Sequence, residues 1–224
     1  VDQRPISSIV DITNYIMIDI GRPLHAYDID KIKGTTLRIS KSKKGDKFSA
    51  LNGSTYELDD NMLVISDEHS IDDLAGIMGG ERTGVTENTT RMFLEAAIFD
   101  PVSIANTGRK LNLHSDARYR FERGLDFNSP ETVMHYAAQM IDKICGGKFS
   151  KIVNFKLEQK DKIIKFDPNI IHQLTGVKIE DELSKSILEK LGFKIVSVKN
   201  IWNITPPSWR PDIDGIADIV EEII

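Results

Sequence analysis

A polar run, EQKDK at Glu158–Lys162, separates two segments of the 224-residue sequence that carry different hydrophobic patterns. The segment before it is rich in short alternating runs with turn signals, which are typical of strands. The segment after it combines helical spacing with two short strand-like runs. We therefore predict an α+β chain of two domains: residues 1–158 with a mixed sheet, and residues 159–224 as a smaller α/β unit.

Short runs of alternating apolar and polar residues predict the strands of the first domain. Three such strands are TTLRIS, NMLVIS and RMFLEAAIF, the last of which we expect to be buried. ALNGSTYEL predicts a hairpin around Asn52–Gly53, because this dipeptide is a strong signal for a tight turn. The four glycines of DLAGIMGGERTGV permit close backbone approaches that other residues resist.

The first helix that the sequence predicts begins at Ser129, a good N-cap, with Pro130 in its first turn. Its apolar stripe at helical spacing consists of Val133, Ala137, Met140, Ile141 and Ile144. Gly146 and Gly147 end this helix, and KFSKIVNFKL predicts a strand after it.

The second domain is predicted to contain three helices and two strands. DPNIIHQLTG is a short helix with Asp167 as its cap and Pro168 inside it, and Gly176 ends it. The longer helix EDELSKSILEKLG places on one side Leu183, Ile187, Leu188 and Leu191. FKIVSV and IWNITPP are strands that join at Lys199–Asn200, and the closing segment forms the third helix.

The composition excludes several classes of protein. With 40% hydrophobic residues the chain is not disordered, and no apolar run approaches the ~18 residues that cross a bilayer. The single cysteine, Cys145, excludes an internal disulfide and a cysteine-cluster zinc site, so we expect a reducing compartment, the cytoplasm. The net charge of -5 argues against a surface that binds nucleic acid everywhere, but not against a local basic strip.

Two residues of the first domain are candidates for chemistry. His25 lies among the loop-forming residues of GRPLHAYD and suits proton transfer or orientation of a ligand near neutral pH. A structural histidine that hydrogen-bonds the backbone is the alternative. Glu95 lies in an apolar run, where a carboxylate is costly unless it is hydrogen-bonded or kept for a ligand. The alternative places Glu95 on the solvent side of a half-exposed strand.

Two basic regions are candidate contacts for nucleic acid. In LHSDARYRFERG the arginines suit phosphates, and Tyr119 and Phe121 suit stacking on bases. Alternatively, Ser115 is an N-cap with Asp116 in the first turn, and the arginines are solvated or paired with Glu122 and Asp126. KIKGTTLRISKSKKGDKF, the basic strip, suits a nucleic-acid backbone or equally the protection of a sheet edge. Its basic residues are Lys31, Lys33, Arg38, Lys41, Lys43, Lys44 and Lys47.

The closing helix carries carboxylates on one face. Asp218, Glu221 and Glu222 are spaced i, i+3 and i+4, and Asp212 lies just upstream. Four oxygen donors suit Mg²⁺ or Ca²⁺ and suit zinc poorly. A solvated acidic face is the alternative, but mutual repulsion and the helix dipole favour a cation or a basic partner.

Taken in order, these segments resemble the β subunits of bacterial phenylalanyl-tRNA synthetases. The matching motifs are RPISSIVDITNYIM, GRPLHAYD, LAGIMGG, FLEAAIFDP, SDARYRFERG and PPSWRPDI with DIVEEI. They extend from Arg4 to the last residue, and six motifs in register are highly specific. The resemblance implies a tRNA-editing domain in residues 1–158 and a small domain of the winged, DNA-binding-like type in residues 159–224. It also implies that the chain is a piece of a longer one that contains a catalytic-like core.

The resemblance implies hydrolysis of mischarged Tyr-tRNA(Phe), within an enzyme that uses ATP to attach phenylalanine to tRNA(Phe). Glu95 matches the glutamate that accepts the tyrosine hydroxyl, and His25 matches a histidine that positions the tRNA 3′ end or the attacking water. The remaining matches are Gly79 in a glycine-rich wall, Ser115 where threonine is common, Ala117 where a small residue leaves room for the ring, and Arg118 in place of a frequent serine.

The resemblance further implies an α subunit as partner in an α2β2 assembly. With that partner the family shares a Mg²⁺ site at the positions of Asp212, Asp218, Glu221 and Glu222, and we expect weak or absent metal binding by this chain alone. Two hypotheses of other classes remain: a non-catalytic module that binds tRNA or DNA, and a Mg²⁺-dependent hydrolase that uses the closing carboxylates. The ATP-binding signature GxxxxGK[ST] does not occur in the sequence.

Overall fold

The computed structural model describes residues 4–155 and 162–224, and the chain divides into two compact units, Val1–Val153 and Asn154–Ile224. Of the predicted linker only Lys162 is described, and the predicted boundary at residue 158 lies outside the described residues. Both units combine helices with antiparallel strands, which confirms the α+β class.

The elements of the first unit alternate between short strands and helices. Its helices are α1 (Ser8–Ile20), α2 (Pro101–Lys110), α3 (Asp116–Phe121) and α4 (Pro130–Cys145). Its strands are β1 (His25–Asp28), β2 (Arg38–Lys41), β3 (Lys47–Ser49), β4 (Thr55–Glu57), β5 (Leu63–Ser66), β6 (Ile71–Leu74), β7 (Met78–Gly79) and β8 (Met92–Glu95). No helix in the described part of the chain is long and apolar enough to cross a membrane.

The strands of the first unit pair in three groups. β1 pairs with β8, β3 pairs with β4, and a four-stranded sheet has the order β2-β5-β6-β7. Every ladder within the described residues is antiparallel, so the predicted mixed sheet is wrong. Short connections favour this arrangement, because a parallel pair needs a crossover of a dozen or more residues. The predicted hairpin is confirmed, since Asn52–Gly53 lies in the turn between β3 and β4.

Two apolar clusters hold the first unit together. The larger lies between the sheets, α2 and α3, and includes Tyr27, Phe48, Leu58, Val64, Leu74, Phe99, Ile104 and Phe121. The smaller joins α1 to α4 through Ile12, Ile16, Val133, Ala137 and Ile141. The stripe predicted for α4 is therefore largely confirmed, although Ile144 at its end is 57% exposed.

Helix α1 was not predicted, because its residues are rich in β-branched isoleucines with low helix propensity. Its end signals are nevertheless present. Ser7 accepts a hydrogen bond from the Val10 N–H, and Gly21 ends the helix in the left-handed conformation. Packing of Ile12 and Ile16 against α4 stabilises a helix that local propensity alone does not favour.

Two strand predictions need correction. KFSKIVNFKL is not a strand over its described residues 148–155, because no neighbouring strand pairs with it there. RMFLEAAIF is a strand only at Met92–Glu95, because its partner β1 is four residues long and their ladder ends at the pair of His25 with Glu95. This strand is half-buried rather than buried. Ser129 occupies the predicted N-cap position of α4, but its side chain makes no cap hydrogen bond, because its hydroxyl accepts from Arg22 and donates to the Asp126 carbonyl oxygen.

The second unit packs three helices against a three-stranded antiparallel sheet. Its elements are β9 (Ile164–Phe166), α5 (Asn169–Thr175), α6 (Asp181–Lys190), β10 (Lys194–Val198), β11 (Ile201–Thr205) and α7 (Ile216–Ile223). The predicted helices and the turn at Lys199–Asn200 are confirmed, whereas Pro168 precedes α5 rather than lying inside it. Leu183 is exposed, because the buried side of α6 is formed by Ser184 and Leu188.

Candidate functional site

The pairing of β1 with β8 brings two predicted site residues together. His25 lies directly opposite Glu95 in this antiparallel ladder, and Tyr27 lies opposite Phe93. Because alternate residues share a face, all four side chains lie on the same side of the two strands. The Tyr27 hydroxyl donates a hydrogen bond to Glu95 Oε2 at 3.0 Å. The His25 ring packs edge-on against Tyr27 with 4.3 Å between ring centroids.

A glycine makes room for the imidazole. A Cβ atom at Gly79 would lie 2.4 Å from His25 Cε1, closer than atoms can approach, so only glycine fits the present position of the ring. Gly79 pairs with Asp73 across β6 and β7. The Asp73 side chain is only 7% exposed, and its Oδ2 lies 3.6 Å from His25 Nε2. The contact of the β1–β8 ladder with strands β6 and β7 thus places Asp73 beside His25. The sequence interpretation had not singled out Asp73.

These residues line one cavity of about 70 Å³ that opens to solvent. Its polar lining comes from His25, Asp73 and Glu95. The rest of the lining is apolar or glycine: Pro23, Leu24, Gly76, Ile77, Met78, Gly79, Phe99, Ala117 and Phe121. No lysine or arginine lines the cavity among the described residues. Within this described lining, the site therefore combines buried acids with aromatic side chains and contains no cationic side chain.

Burial sets the protonation of these groups. It lowers the pKa of the His25 imidazole to about 4, so the ring is neutral near pH 7. It raises the pKa of Glu95 to about 7, against the opposing effect of the Tyr27 hydrogen bond. Burial also raises the pKa of Asp73 well above its usual value, and the nearby carboxyl groups of Glu95 and Asp72 add to that rise. The 3.6 Å contact between His25 and Asp73 is accordingly not an ion pair, and Nε2 has no hydrogen-bond partner.

A buried arginine supports the segment that follows Glu95. Arg22 is 1% exposed, and its guanidinium donates to the backbone oxygens of Ala97 and Asp126 and to Ser129 Oγ. Burial lowers its pKa to about 10, although Asp126 opposes this shift. Arg22 thereby ties the end of β8 to the start of α4. The sequence interpretation missed it, and its only signal was an arginine three residues before the candidate histidine.

The structure brings together His25, Gly79, Glu95 and Ala117, as the resemblance implied, but Ser115 and Arg118 are not among the described residues that line the cavity. Ser115 caps α3, accepting from the Arg118 N–H and donating to the Ile77 carbonyl oxygen. The Arg118 guanidinium turns inward, where it donates to Leu113 O and to Glu122.

The aromatic and basic residues of α3 also differ from the predicted nucleic-acid contact. Phe121 belongs to the apolar core and is 4% exposed, so it is not available to stack on a base. Arg123 stacks on Tyr119, with 3.7 Å from its Cζ to the ring centroid. The N-cap alternative is confirmed here. In the basic strip, β2 is an edge strand whose four residues are exposed, as the edge-protection alternative expects.

The closing carboxylates do not converge on one point. Arg210 Nη2 lies 2.6 Å from both Asp212 Oδ2 and Glu222 Oε1, and these hydrogen bonds lower the pKa of each carboxyl. Asp218 instead accepts from the backbone N–H groups of Asp214 and Gly215 at the start of α7. Among the described residues, no group of three acids, histidines or cysteines is placed to hold a metal ion. This arrangement does not fit Mg²⁺, because an arginine stands between two of the proposed ligands.

The cavity has the features of a site for a small, partly aromatic ligand. Its lining includes Phe99, Phe121 and Ala117 together with two acids and a neutral imidazole. Such an arrangement can accept hydrogen bonds from a ligand hydroxyl or amine and can orient a water molecule through the imidazole. The fold and site thus define an α+β domain with a cavity whose lining suits a polar aromatic group.

Comparison with known proteins gives the family. Residues 1–146 match the family described as B3/4 domain, and residues 164–224 match the family described as tRNA synthetase B5 domain. Because the first match covers more than half of the sequence, the chain belongs to the B3/4 domain family.

Curated relatives agree with this assignment. The phenylalanine–tRNA ligase β subunit of Bartonella henselae is 47% identical over 222 residues, which cover 99% of this chain and 28% of the relative. That of Bartonella quintana is 46% identical with the same coverage. The resemblance to these β subunits is therefore confirmed, and the chain spans about 28% of their length. An N-terminal fragment of the β subunit from Pyrococcus horikoshii aligns over 96% of this chain and 64% of its own, with a TM-score of 0.47 and 20% identity.

Proposed function

We propose that this chain carries the proofreading site of a phenylalanine–tRNA ligase and hydrolyses Tyr-tRNA(Phe) to tyrosine and free tRNA. The complete ligase attaches phenylalanine to tRNA(Phe) with ATP, and its α subunit and tRNA(Phe) are the partners of this chain. Relatives that carry the ligase name and match 99% of the chain support the assignment.

The need for such a site follows from the chemistry of the two amino acids. A pocket built for phenylalanine rejects tyrosine weakly, because tyrosine only adds a hydroxyl to the same ring. A second pocket can reject phenylalanine and accept tyrosine if it contains a buried acceptor for that hydroxyl. Phenylalanine then leaves the acceptor without its partner, at a cost of about 1–3 kcal/mol.

The observation that carries the proposal is the placement of Glu95. Its carboxyl group lies in the cavity beside His25, and Tyr27 engages only one of its two oxygens, Oε2. We assign the other oxygen, Oε1, to the phenol of the substrate. Glu95 already accepts a phenolic O–H from Tyr27, so the group is suited to the same donor on a ligand.

The cavity limits how the substrate enters. A cavity of roughly 150 Å³ holds a benzene molecule, whereas the volume of this cavity is about 70 Å³. A tyrosyl ring therefore needs the open mouth as well as the cavity itself. Ala117 lies in the wall next to Phe121, and its small side chain leaves space that a larger residue would fill.

His25 and Gly79 complete the site. The neutral imidazole has a low pKa and is a weak base, so we assign it to the orientation of the attacking water or of the tRNA 3′ end through Nε2. The water adds to the ester carbonyl, the bond to the ribose oxygen breaks, and the ribose oxygen receives a proton. Gly79 packs against the imidazole, and we assign its backbone N–H to stabilisation of the developing oxyanion.

The test uses a substrate that needs no docking module, the tyrosyl ester of adenosine, alongside Tyr-tRNA(Phe). We expect the chain to hydrolyse the tyrosyl ester, and Glu95→Ala to abolish hydrolysis while tRNA affinity stays the same. Glu57→Gln on the exposed strand β4 serves as the matched control and keeps full activity. Unchanged hydrolysis in Glu95→Ala would show that the assignment of Glu95 is wrong.

A further inference from the structure

Asp73 is an acid for which the proposed hydrolysis has so far no role. Its side chain is more than nine-tenths buried and lines the same cavity as His25 and Glu95. Among the described residues, no N–H or O–H group makes a hydrogen bond to its carboxyl, and His25, whose Nε2 lies 3.6 Å from Asp73 Oδ2, is neutral. A buried carboxyl without a donor is costly and is retained where a ligand supplies the partner.

The cation on the neighbouring residue does not serve Asp73. Asp72 precedes it on β6, and successive side chains of a strand point to opposite faces. Arg82 binds Asp72 and Asp67 on that other face. The cavity therefore holds two carboxyl groups and, within the described lining, no lysine or arginine.

An aminoacyl ester supplies what is missing. Its carboxyl is esterified, so the reacting end carries one positive α-ammonium group and no negative charge. We propose that Asp73 binds this α-ammonium group, while Glu95 binds the phenol. The proposal rests on the proposed function and names a separate contact within the same site.

Binding of the ammonium group by Asp73 and of the phenol by Glu95 also favours release of the product. Hydrolysis creates a free carboxylate next to the ammonium group, and a cavity lined by two acids and, among the described residues, by no lysine or arginine offers that negative charge no partner. The ester therefore binds more tightly than the amino acid that is formed from it. A site that selected only for the phenol would retain the product as well as the substrate.

The experiment measures the affinity of the chain for three stable amides near pH 6, where an α-amine is charged. L-tyrosinamide has both groups, L-phenylalaninamide lacks the phenol, and 3-(4-hydroxyphenyl)propionamide lacks the amine. We expect the wild-type chain to prefer L-tyrosinamide over each of the others, by about 30-fold for the amine, because loss of a buried charged partner is costly. A wild-type chain without preference for the amine overturns the proposal before any variant is made.

Asp73→Asn separates the two contacts. We expect it to remove the preference for the amine and to keep the preference for the phenol, whereas Glu95→Gln does the reverse. Glu57→Gln, on the exposed strand β4, leaves both preferences unchanged. If Asp73→Asn keeps the preference for the amine, the proposal fails even if hydrolysis slows. If Glu95→Gln keeps the preference for the phenol, the proposed function fails instead.

Discussion

The phenolic oxygen of Tyr27 lies 3.0 Å from Glu95 Oε2, so the acid assigned to a tyrosyl substrate already accepts a hydrogen bond from a tyrosine of the chain. Tyr27 is fully buried, and the two residues lie on paired strands. The hydrogen bond fixes the orientation of the carboxyl group and occupies Oε2, which leaves Oε1 for a ligand. Tyr27 is therefore a positioning residue for Glu95.

Tyr27→Phe tests this positioning. Loss of the hydroxyl should lower the free energy of unfolding by about 1–2 kcal/mol, because a buried carboxyl loses its donor. It should also reduce the preference for tyrosyl over phenylalanyl esters, because the carboxyl group is no longer held. Urea unfolding and hydrolysis rates measure the two effects. Tyr56→Phe, whose hydroxyl only accepts from Asn52 in an exposed hairpin, is the control. Unchanged selectivity in Tyr27→Phe would contradict the positioning role.

The pKa of Glu95 predicts a pH-dependent stability. Between the ordinary carboxyl value of 4.5 and about 7, folded Glu95 keeps a proton that the unfolded chain has lost. Its contribution to stability therefore falls as pH rises through this window, by up to about 1.4 kcal/mol per pH unit. The raised pKa of Asp73 acts in the same direction. His25 acts oppositely between 4 and 6.5, because there the unfolded imidazole holds the extra proton.

Glu95→Gln isolates the contribution of Glu95 from those of His25 and Asp73. We expect the melting temperature of this variant to rise relative to that of the wild type between pH 5 and pH 8, since only the wild type deprotonates a buried group. The Glu57→Gln variant should show no such trend, because Glu57 is exposed. A constant difference between Glu95→Gln and the wild type would mean that Glu95 titrates at its ordinary value.

Gly79→Ala tests the close approach of the imidazole. The new Cβ would lie 2.4 Å from His25 Cε1, so the ring must move. We expect a loss of stability of about 1–3 kcal/mol and a larger loss of ester hydrolysis, because Nε2 no longer reaches the same water. Gly215→Ala is the control, since a Cβ there meets nothing within 4 Å and its φ is -153°. Full hydrolysis by Gly79→Ala would exclude a positional role for His25.

Removal of divalent metal should leave ester hydrolysis unchanged. The cavity residues are far in sequence from the closing carboxylates, and Arg210 already binds Asp212 and Glu222. Hydrolysis rates with a chelator and with added Mg²⁺ measure the effect. Loss of activity on chelation would favour the hypothesis of a Mg²⁺-dependent hydrolase. Titration calorimetry should detect weak or no Mg²⁺ binding by this chain, and Arg210→Gln should increase it.

The sequence predicted those elements whose signals are local. The hairpin at Asn52–Gly53 depends on two adjacent residues, and α4 depends on Pro130 and a helical stripe. Helix α1 depends on packing of Ile12 and Ile16 against a helix more than a hundred residues away, and local propensity does not report that contact. The failed strand at residues 148–155 shows the converse, because an apolar run forms a strand only where a partner is available.

The same limit applies to the cavity. His25 and Glu95 were predicted, and their antiparallel register places them together. Asp73 lacked the signal of Glu95, because it follows another aspartate in IDDL rather than lying alone in an apolar run, and its relation to His25 arises only when the ladder of β1 meets β6 and β7. Ser115 and Arg118 matched the motifs, yet their hydrogen bonds are made to Ile77, Leu113 and Glu122.

The most direct test of the account is the ratio of hydrolysis rates for tyrosyl and phenylalanyl esters of adenosine, measured for the wild-type chain and for Glu95→Gln. We predict that the wild type favours the tyrosyl ester by at least about tenfold, which corresponds to about 1.4 kcal/mol for an unmet buried acceptor. The variant should hydrolyse both esters at similar rates. Equal rates in the wild type, or an unchanged ratio in Glu95→Gln, would contradict the claim that Glu95 selects the phenol.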